Sequence, residues 1–130
     1  MSDPQLHIDV LRETFNIHRL PADADIPNTV LEQGFYALVR TTDELSIVCA
    51  AQLCVESSET AADWRGLRVR GPLDLALTGI LAHLSRILAE AGVTIFAVST
   101  FDTDYVLVPA AELASAIEAL QTNGVVVTTR

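Results

Sequence analysis

Residues 64–128 alternate between strand-like and helix-like hydrophobic patterns, and this alternation leaves few folds open to the chain. Apolar residues alternate with arginines at Leu67 and Val69, as in a strand buried on one side. Two later segments repeat apolar residues at three- and four-residue steps, as amphipathic helices do. In chain order the segments are the strand WRGLRVRG (64–71), the helix GILAHLSRILAEAG (79–92), the strands VTIFAVS (93–99) and DYVLVP (104–109), the helix AAELASAIEALQTNG (110–124) and the strand VVVTT (125–129).

This order, βαββαβ, predicts an α+β fold of the ferredoxin-like type, in which two helices pack on one face of an antiparallel sheet. Gly71-Pro72 is expected to end the first strand, and Pro109 suits the first turn of the second helix. Thr78 is a plausible N-cap of the first helix, with Gly92 as its stop, and Asn123-Gly124 ends the second.

The first half of the chain is less regular. QLHIDVLRETFNIHRL (5–20) fits one bent strand or two short ones, and FYALVRT (35–41) with LSIVCA (45–50) predicts a hairpin. The segments PADADIPNTVLEQG (21–34) and VESSETAAD (55–63) read as loops with a helical turn each. We interpret this half as a shortened version of the same plan, with reduced helices.

The composition argues against some classes of function. Eight basic and 17 acidic residues give a formal charge of −9, which argues against binding to a phosphate backbone. The N-terminus does not resemble a secretory signal, and no apolar stretch is long enough to span a membrane, so a cytoplasmic protein without nucleic-acid or membrane partners is expected.

The chain offers no obvious catalytic or metal site. Cys49 and Cys54 form a single C-x4-C pair, and His7, His18 and His83 are widely separated. We therefore expect buried or half-buried thiols, surface or half-buried histidines, and no metal or cofactor. G-x-S-x-G, P-loop and G-x-G-x-x-G motifs are absent from the sequence, so an enzyme is not expected. The arginines at 65, 68 and 70 are expected to be a solvated strand face or, as the alternative, a contact for a second subunit.

Residues 71–108, GPLDLALTGILAHLSRILAEAGVTIFAVSTFDTDYVLV, contain three motifs that resemble a family signature. They are a Gly-Pro after a strand, a Thr-Gly-Ile at a helix start, and a Ser-Thr-Phe-x-Thr-Asp turn before a strand. The chain resembles the small ACT-domain proteins, which include bacterial tandem-ACT proteins and the arginine sensors called CASTOR. LSIVC (45–49) and Trp64 extend the resemblance over most of the chain beyond about residue 30.

The resemblance implies two ACT-type modules, a shortened one at 1–63 and a second at 64–130, with a small molecule, commonly an amino acid, held between modules. It also implies that ligand contacts lie at the start of the first helix and in the hairpin turn that follows. Carried over position by position, the ligand-binding residues are Thr78, Gly79, Ile80, Leu81, Ser99, Thr100, Asp102 and Asp104.

These residue types suit a zwitterion. The N–H groups at a helix start attract a carboxylate, Gly79 permits close approach, and Asp102 and Asp104 are acceptors for an ammonium group. Structural roles are the alternative for each position. Asp102 could bond its own backbone, Gly79 could serve close helix–sheet packing, and Ser99 and Thr100 could be plain strand residues.

The sequence thus predicts a non-catalytic regulatory protein that binds an amino acid. Ligand binding would change its association with a partner protein or its own dimeric state. The alternative is a structural or protein-interaction module in which the pocket is vestigial.

Overall fold

A computed structural model of the protein describes residues 6–70 and 79–129. The chain has an α+β fold with a mostly antiparallel sheet, in which the last strand runs parallel to the first. The elements are β1 (His7–Leu20), α1 (Asn28–Leu31), β2 (Ala37–Arg40), β3 (Leu45–Ala50), β4 (Glu59–Val69), α2 (Ile80–Glu90), β5 (Phe96–Ser99), β6 (Asp104–Pro109), a 3-10 turn (Ala110–Glu112), α3 (Leu113–Thr122) and β7 (Val126–Thr129).

The chain divides into two compact units. One comprises Met1–Arg12 and Arg65–Arg130, and the other comprises Glu13–Trp64, so that β1 and β4 each contribute residues to both. The domain boundary predicted from the sequence, between residues 63 and 64, stays a prediction.

The unit built from both ends of the chain contains the predicted βαββαβ order, from β4 to β7. β6 lies between β4 and β5, and β7 pairs in parallel with the beginning of β1. Both helices contribute to a single core with strands β1, β4 and β6. Its buried members include Ile8, Val10, Leu67, Val69, Leu84, Leu88, Val106, Val108, Ala116 and Leu120.

The two long helices end in the same way, which explains where their periodic patterns stop. Gly92 and Gly124 follow the last turns with φ of +75° and +83°, a left-handed conformation that glycine adopts without strain. The valine after each glycine donates to a leucine carbonyl five residues earlier, at 2.9 Å from Val93 and 3.0 Å from Val125. These bonds satisfy carbonyls that the helix leaves free, as in a Schellman motif.

The unit of Glu13–Trp64 has the order β1, α1, β2, β3, β4. β3 pairs antiparallel with both β1 and β2, which confirms the predicted hairpin. α1 is a single turn that buries Val30, and residues 51–58 form turns and extended chain. The core of this unit consists of Leu20, Val30, Leu45, Ile47 and Cys49.

Several boundaries differ from the sequence predictions. The N-terminal segment is a single strand, which is one of the two predicted alternatives, whereas β4 begins at Glu59 rather than at Trp64. Pro109 ends β6 instead of opening a helix, because its backbone is extended (φ −55°, ψ 137°) and a 3-10 turn follows. The predicted strand end at Gly71-Pro72 lies outside the described residues. No helix in the described part of the chain is both long and apolar enough to cross a membrane.

Candidate functional site

The turn between β5 and β6 is held together by its own threonines. Ser99 and Asp104 form the last cross-strand pair. The Thr100 amide donates to the Thr103 carbonyl (2.8 Å), and the Thr103 amide donates to Oγ1 of Thr100 (3.1 Å). Thr100 is therefore a turn residue rather than a plain strand residue, and it makes the side chain-to-backbone bond that was considered for Asp102.

One further bond attaches this turn to a neighbouring strand. The Thr103 hydroxyl donates to the carbonyl of Val69, the last residue of β4, at 2.5 Å. Sequence reasoning missed Thr103 as a contributor to the site, although it is part of the Ser-Thr-Phe-x-Thr-Asp motif. Its partner lies 34 residues away in the chain, so no local pattern reveals the contact.

The two aspartates of the turn have different surroundings. Asp104 is half-buried, and its Oδ1 accepts a hydrogen bond from the Ser99 hydroxyl at 2.6 Å. A carboxylate offers about four lone-pair positions, so Asp104 retains acceptor capacity for a ligand. Asp102 is exposed at the tip of the turn beside Phe101, whose side chain is 78% exposed. Asp104 is therefore the better placed of the two to act as a fixed acceptor.

The start of α2 has backbone donors without a hydrogen-bond partner among the described residues. Gly79 precedes the helix with φ +85° and ψ −7°, and its carbonyl accepts the first helical bond from the His83 amide at 2.8 Å. No side chain caps the helix, so the N–H groups of Ile80 and Leu81 have no intrahelical or capping partner. Both side chains are partly buried against the core, so they would offer a ligand their backbone donors.

The conformation of Gly79, and not close packing, explains why glycine is needed there. A β-carbon added at Gly79 would meet no atom of the described residues within 4 Å, its chain neighbours apart. Among the described residues, nothing lies close enough to Gly79 to require glycine for helix–sheet packing. The positive φ is what disfavours other residues at this position.

The predicted site residues lie on two elements, of which the β5–β6 turn contacts the end of β4 and α2 follows β4 in the chain. Thr103 attaches the turn directly to Val69, and α2 follows β4 through residues 71–78. Thr78 belongs to that segment and lies outside the described residues. The residue that immediately precedes the helix is Gly79.

An ion pair between a buried aspartate and an exposed arginine lies beside the same strand end. Asp9 is 2% exposed, and Arg70 donates to both of its oxygens, from Nη2 at 2.6 Å and from Nε at 3.1 Å. Arg68 approaches Asp9 at 3.9 Å. Hydrogen bonding to Asp9 raises the pKa of Arg70, while Arg65 donates to the Leu11 carbonyl at 2.9 Å. Arg70 is exposed, as expected of a solvated strand face, although its guanidinium bonds Asp9. Arg65 is half-buried and donates to a β1 carbonyl, so the expectation is wrong for Arg65.

A second polar cluster lies in the Glu13–Trp64 unit. His18 is 4% exposed, and its Nδ1 lies 3.2 Å from the Ser57 hydroxyl and 3.0 Å from the Thr60 hydroxyl. Its Nε2 is buried without a partner among the described residues. Burial lowers the pKa of His18, which is therefore not the surface or half-buried histidine expected from the sequence.

The cysteines and acids give no sign of a metal site. Cys49 is buried, which raises its thiol pKa, whereas Cys54 is exposed, contrary to expectation. Across residues 6–70 and 79–129, no group of three or more His, Cys, Asp or Glu side chains is arranged to hold a metal ion.

Comparisons with known proteins agree with the ACT resemblance. The ACT domain family model matches residues 59–122, and a second model, described as an N-terminal domain, matches residues 13–55. The crystal structure of protein Atu0741 from Agrobacterium tumefaciens is 31% identical, with a TM-score of 0.90, and the match covers 98% of this chain and 96% of that one.

Two other similar proteins have names that state a role. The cytosolic arginine sensor for mTORC1 subunit 1 of Pongo abelii is 32% identical over 126 residues, 88% of this chain. This chain spans 36% of that relative's length. The structure of aspartokinase alpha and beta subunits has a TM-score of 0.63 at 16% identity, covering 92% of this chain and 97% of that one, which indicates a shared fold alone.

Proposed function

Because the chain belongs to the same family as the Agrobacterium tumefaciens protein Atu0741 and matches the ACT domain over residues 59–122, we propose that it is a non-catalytic regulatory protein that binds an amino acid. The name of the arginine-sensor relatives supports a sensing role, although this chain spans 36% of their length. The proposal concerns the class of ligand and not its identity.

The half-buried carboxylate of Asp104 carries the proposal. The Ser99 hydroxyl occupies one of its oxygens and thereby fixes its orientation. An α-ammonium group needs a charged acceptor of this kind, and a charge-assisted bond is about twice as strong as a neutral one. Asp102, exposed at the turn tip, adds negative charge nearby.

The carboxylate of the ligand would bind at the start of α2. The backbone N–H groups of Ile80 and Leu81, together with the positive end of the helix dipole, favour an anion there. No described residue other than its chain neighbours lies within 4 Å of a β-carbon added at Gly79, which leaves room for the carboxylate among these residues. Thr78, Ser99 and Thr100 complete the proposed contacts of the ligand.

We further propose that the two compact units are two ACT-type modules, of which the N-terminal one is shortened. The Glu13–Trp64 unit follows the order βαβββ, with a helix of one turn and no helix in residues 51–58. This is the βαββαβ plan with its first helix reduced and its second absent. The separate family match at 13–55 supports treating it as a module of its own.

In this proposal the protein acts in the cytoplasm by changing its association with a partner protein or a second copy of itself when ligand binds. Ligand can shift such an equilibrium only by its differential affinity for the two states. The competing function is a protein-interaction module with a vestigial pocket.

A thermal-shift screen against the twenty amino acids and a few nucleotides, followed by calorimetry, tests the proposal. A ligand at about 100 times its dissociation constant adds roughly 2.7 kcal/mol, which is roughly 10 °C for a chain of this size. A shift with one amino acid supports the sensor. The absence of any shift at millimolar concentration would favour the interaction module.

Asp104→Asn then tests the site. Losing a charge-assisted bond should weaken binding of the amino acid by more than about tenfold while the protein stays folded. Asp25→Asn removes an exposed aspartate of the other unit and is the matched control. Equal affinities for the two variants would exclude Asp104 from the site.

A further inference from the structure

Among the described residues, one side-chain hydroxyl joins the turn that carries Asp104 to a strand outside its own hairpin. The other side-chain bonds of the turn are local: Ser99 bonds Asp104, and Thr100 bonds Thr103. The Thr103 hydroxyl instead crosses to β4, where the carbonyl of Val69 accepts its hydrogen at 2.5 Å. Thr103 is half-buried, so this bond is partly shielded from competing water.

Val69, which accepts this bond, lies at a well-fixed position in the fold. Val69 is 1% exposed, belongs to the core and is the last residue of β4. The next residue, Arg70, is fixed on the other side by its amide, which donates to the His7 carbonyl at 2.8 Å, and by its two bonds to Asp9. The acceptor of the Thr103 hydroxyl is therefore a rigid point of the fold.

Regular pairing with β5 ends at Asp104, so the turn before it extends beyond the sheet ladder. The Thr103 bond attaches the chain to β4 one residue before β6 begins. Without that bond, the remaining side-chain bonds of the turn among the described residues are internal to it, and we expect the adjacent carboxylate of Asp104 to sample more positions. A ligand would then have to restrain this motion on binding, at a cost in affinity.

We propose that Thr103 is a positioning residue of the amino-acid site, which holds the Asp104 turn against the end of the strand that precedes α2. This inference rests on the proposed function. It assigns Thr103 no contact with the ligand and predicts that the hydroxyl acts through Asp104.

The test compares Thr103→Val, which keeps the shape and removes the hydroxyl, with Thr103→Ser, which keeps the hydroxyl. Calorimetric titration uses the amino acid that gives the largest thermal shift with the unaltered protein. We expect Thr103→Val to bind about fivefold more weakly and Thr103→Ser to bind nearly as the unaltered protein does. Ile117→Val, a partly buried change on α3, is the control for stability loss in the same unit and should leave the affinity unchanged.

A ligand-free measurement accompanies the titration. Hydrogen exchange of the Thr100 amide, which bonds the Thr103 carbonyl, should be faster in Thr103→Val than in Thr103→Ser or the unaltered protein. Unchanged affinity of Thr103→Val would overturn the positioning role even if the protein binds an amino acid. If the unaltered protein binds no amino acid, the proposed function and this inference both fail, and the exchange rate then reports only on the structural anchor.

Discussion

Replacement of Gly79 by alanine separates the conformational role of this residue from its role in binding. Gly79 has φ +85°, where an L-residue is strained by roughly 1–2 kcal/mol. Alanine also lowers the conformational entropy of the unfolded chain, and this offsets about 0.4–1 kcal/mol of the lost stability. Since an added β-carbon meets nothing within 4 Å among the described residues beyond its neighbours, no clash enters the sum. The expected net loss of unfolding free energy is about 1 kcal/mol.

Gly92→Ala supplies a matched comparison. Gly92 also has a positive φ, +75°, and open space around its α-carbon, but it lies at the other end of α2. Urea denaturation should show a similar loss of about 1 kcal/mol for both variants. Only Gly79→Ala should weaken amino-acid binding in calorimetry, because its methyl group stands beside the free N–H groups of the helix start.

A third variant isolates the backbone strain. Asparagine tolerates the left-handed conformation, so Gly79→Asn should lose less stability than Gly79→Ala while still adding bulk at the proposed site. Gly79→Ala with stability equal to or above that of the unaltered protein would refute the conformational reasoning. Equal affinities of Gly79→Ala and Gly92→Ala would mean that the ligand does not bind at the start of α2.

Two further predictions concern the buried polar groups. The pKa of His18 is lowered by burial in the folded state, so the unfolded state binds more protons and stability should fall as pH drops below about 6.5. The difference in urea midpoint between the unaltered protein and His18→Gln should therefore shrink toward pH 5, and a constant difference from pH 8 to 5 would contradict this. Arg70→Met should lower the midpoint more than Arg68→Met, because Arg70 makes two close bonds to Asp9 whereas Arg68 lies at 3.9 Å. Equal losses would indicate that the bidentate geometry adds nothing.

The parts of the fold that were predicted are those with a local cause. The two long helices follow from apolar periodicity and from the glycines that end them. The extension of β4 back to Glu59 had no such signal, since residues 59–63 are all exposed. Hydrogen bonds to β1 hold this region instead: the Ser58 amide donates to the Arg19 carbonyl (2.8 Å) and the Asp63 amide to Oδ1 of Asn16 (3.0 Å).

In the candidate site, too, the features with a local cause in the sequence were predicted and the long-range contacts were not. The hairpin position follows from two short strands around a polar turn, and the helix start follows from the apolar pattern after Gly79. The Thr103–Val69 bond and the Asp9–Arg70 pair join residues 34 and 61 positions apart, so they depend on which strands become neighbours. The burial of Asp9 cannot be predicted from the hydrophobic pattern of HIDV, because an aspartate at this position would be equally compatible with an exposed strand face.

The beginning of β1 is what completes the unit that carries the site. Leu6, Ile8 and Val10 belong to its core, and the Val126 amide donates to the Leu6 carbonyl at 3.0 Å. Fully burying such side chains contributes about 1.5–3 kcal/mol each, or about 5–9 kcal/mol together. The free energy of unfolding of a whole domain is typically only about 5–15 kcal/mol, so a chain that begins at residue 64 would lose much of its stability. A stable unit for residues 64–130 therefore needs residues 6–12 as well, and with them Asp9, which bonds Arg70 at the end of β4, next to the β5–β6 turn.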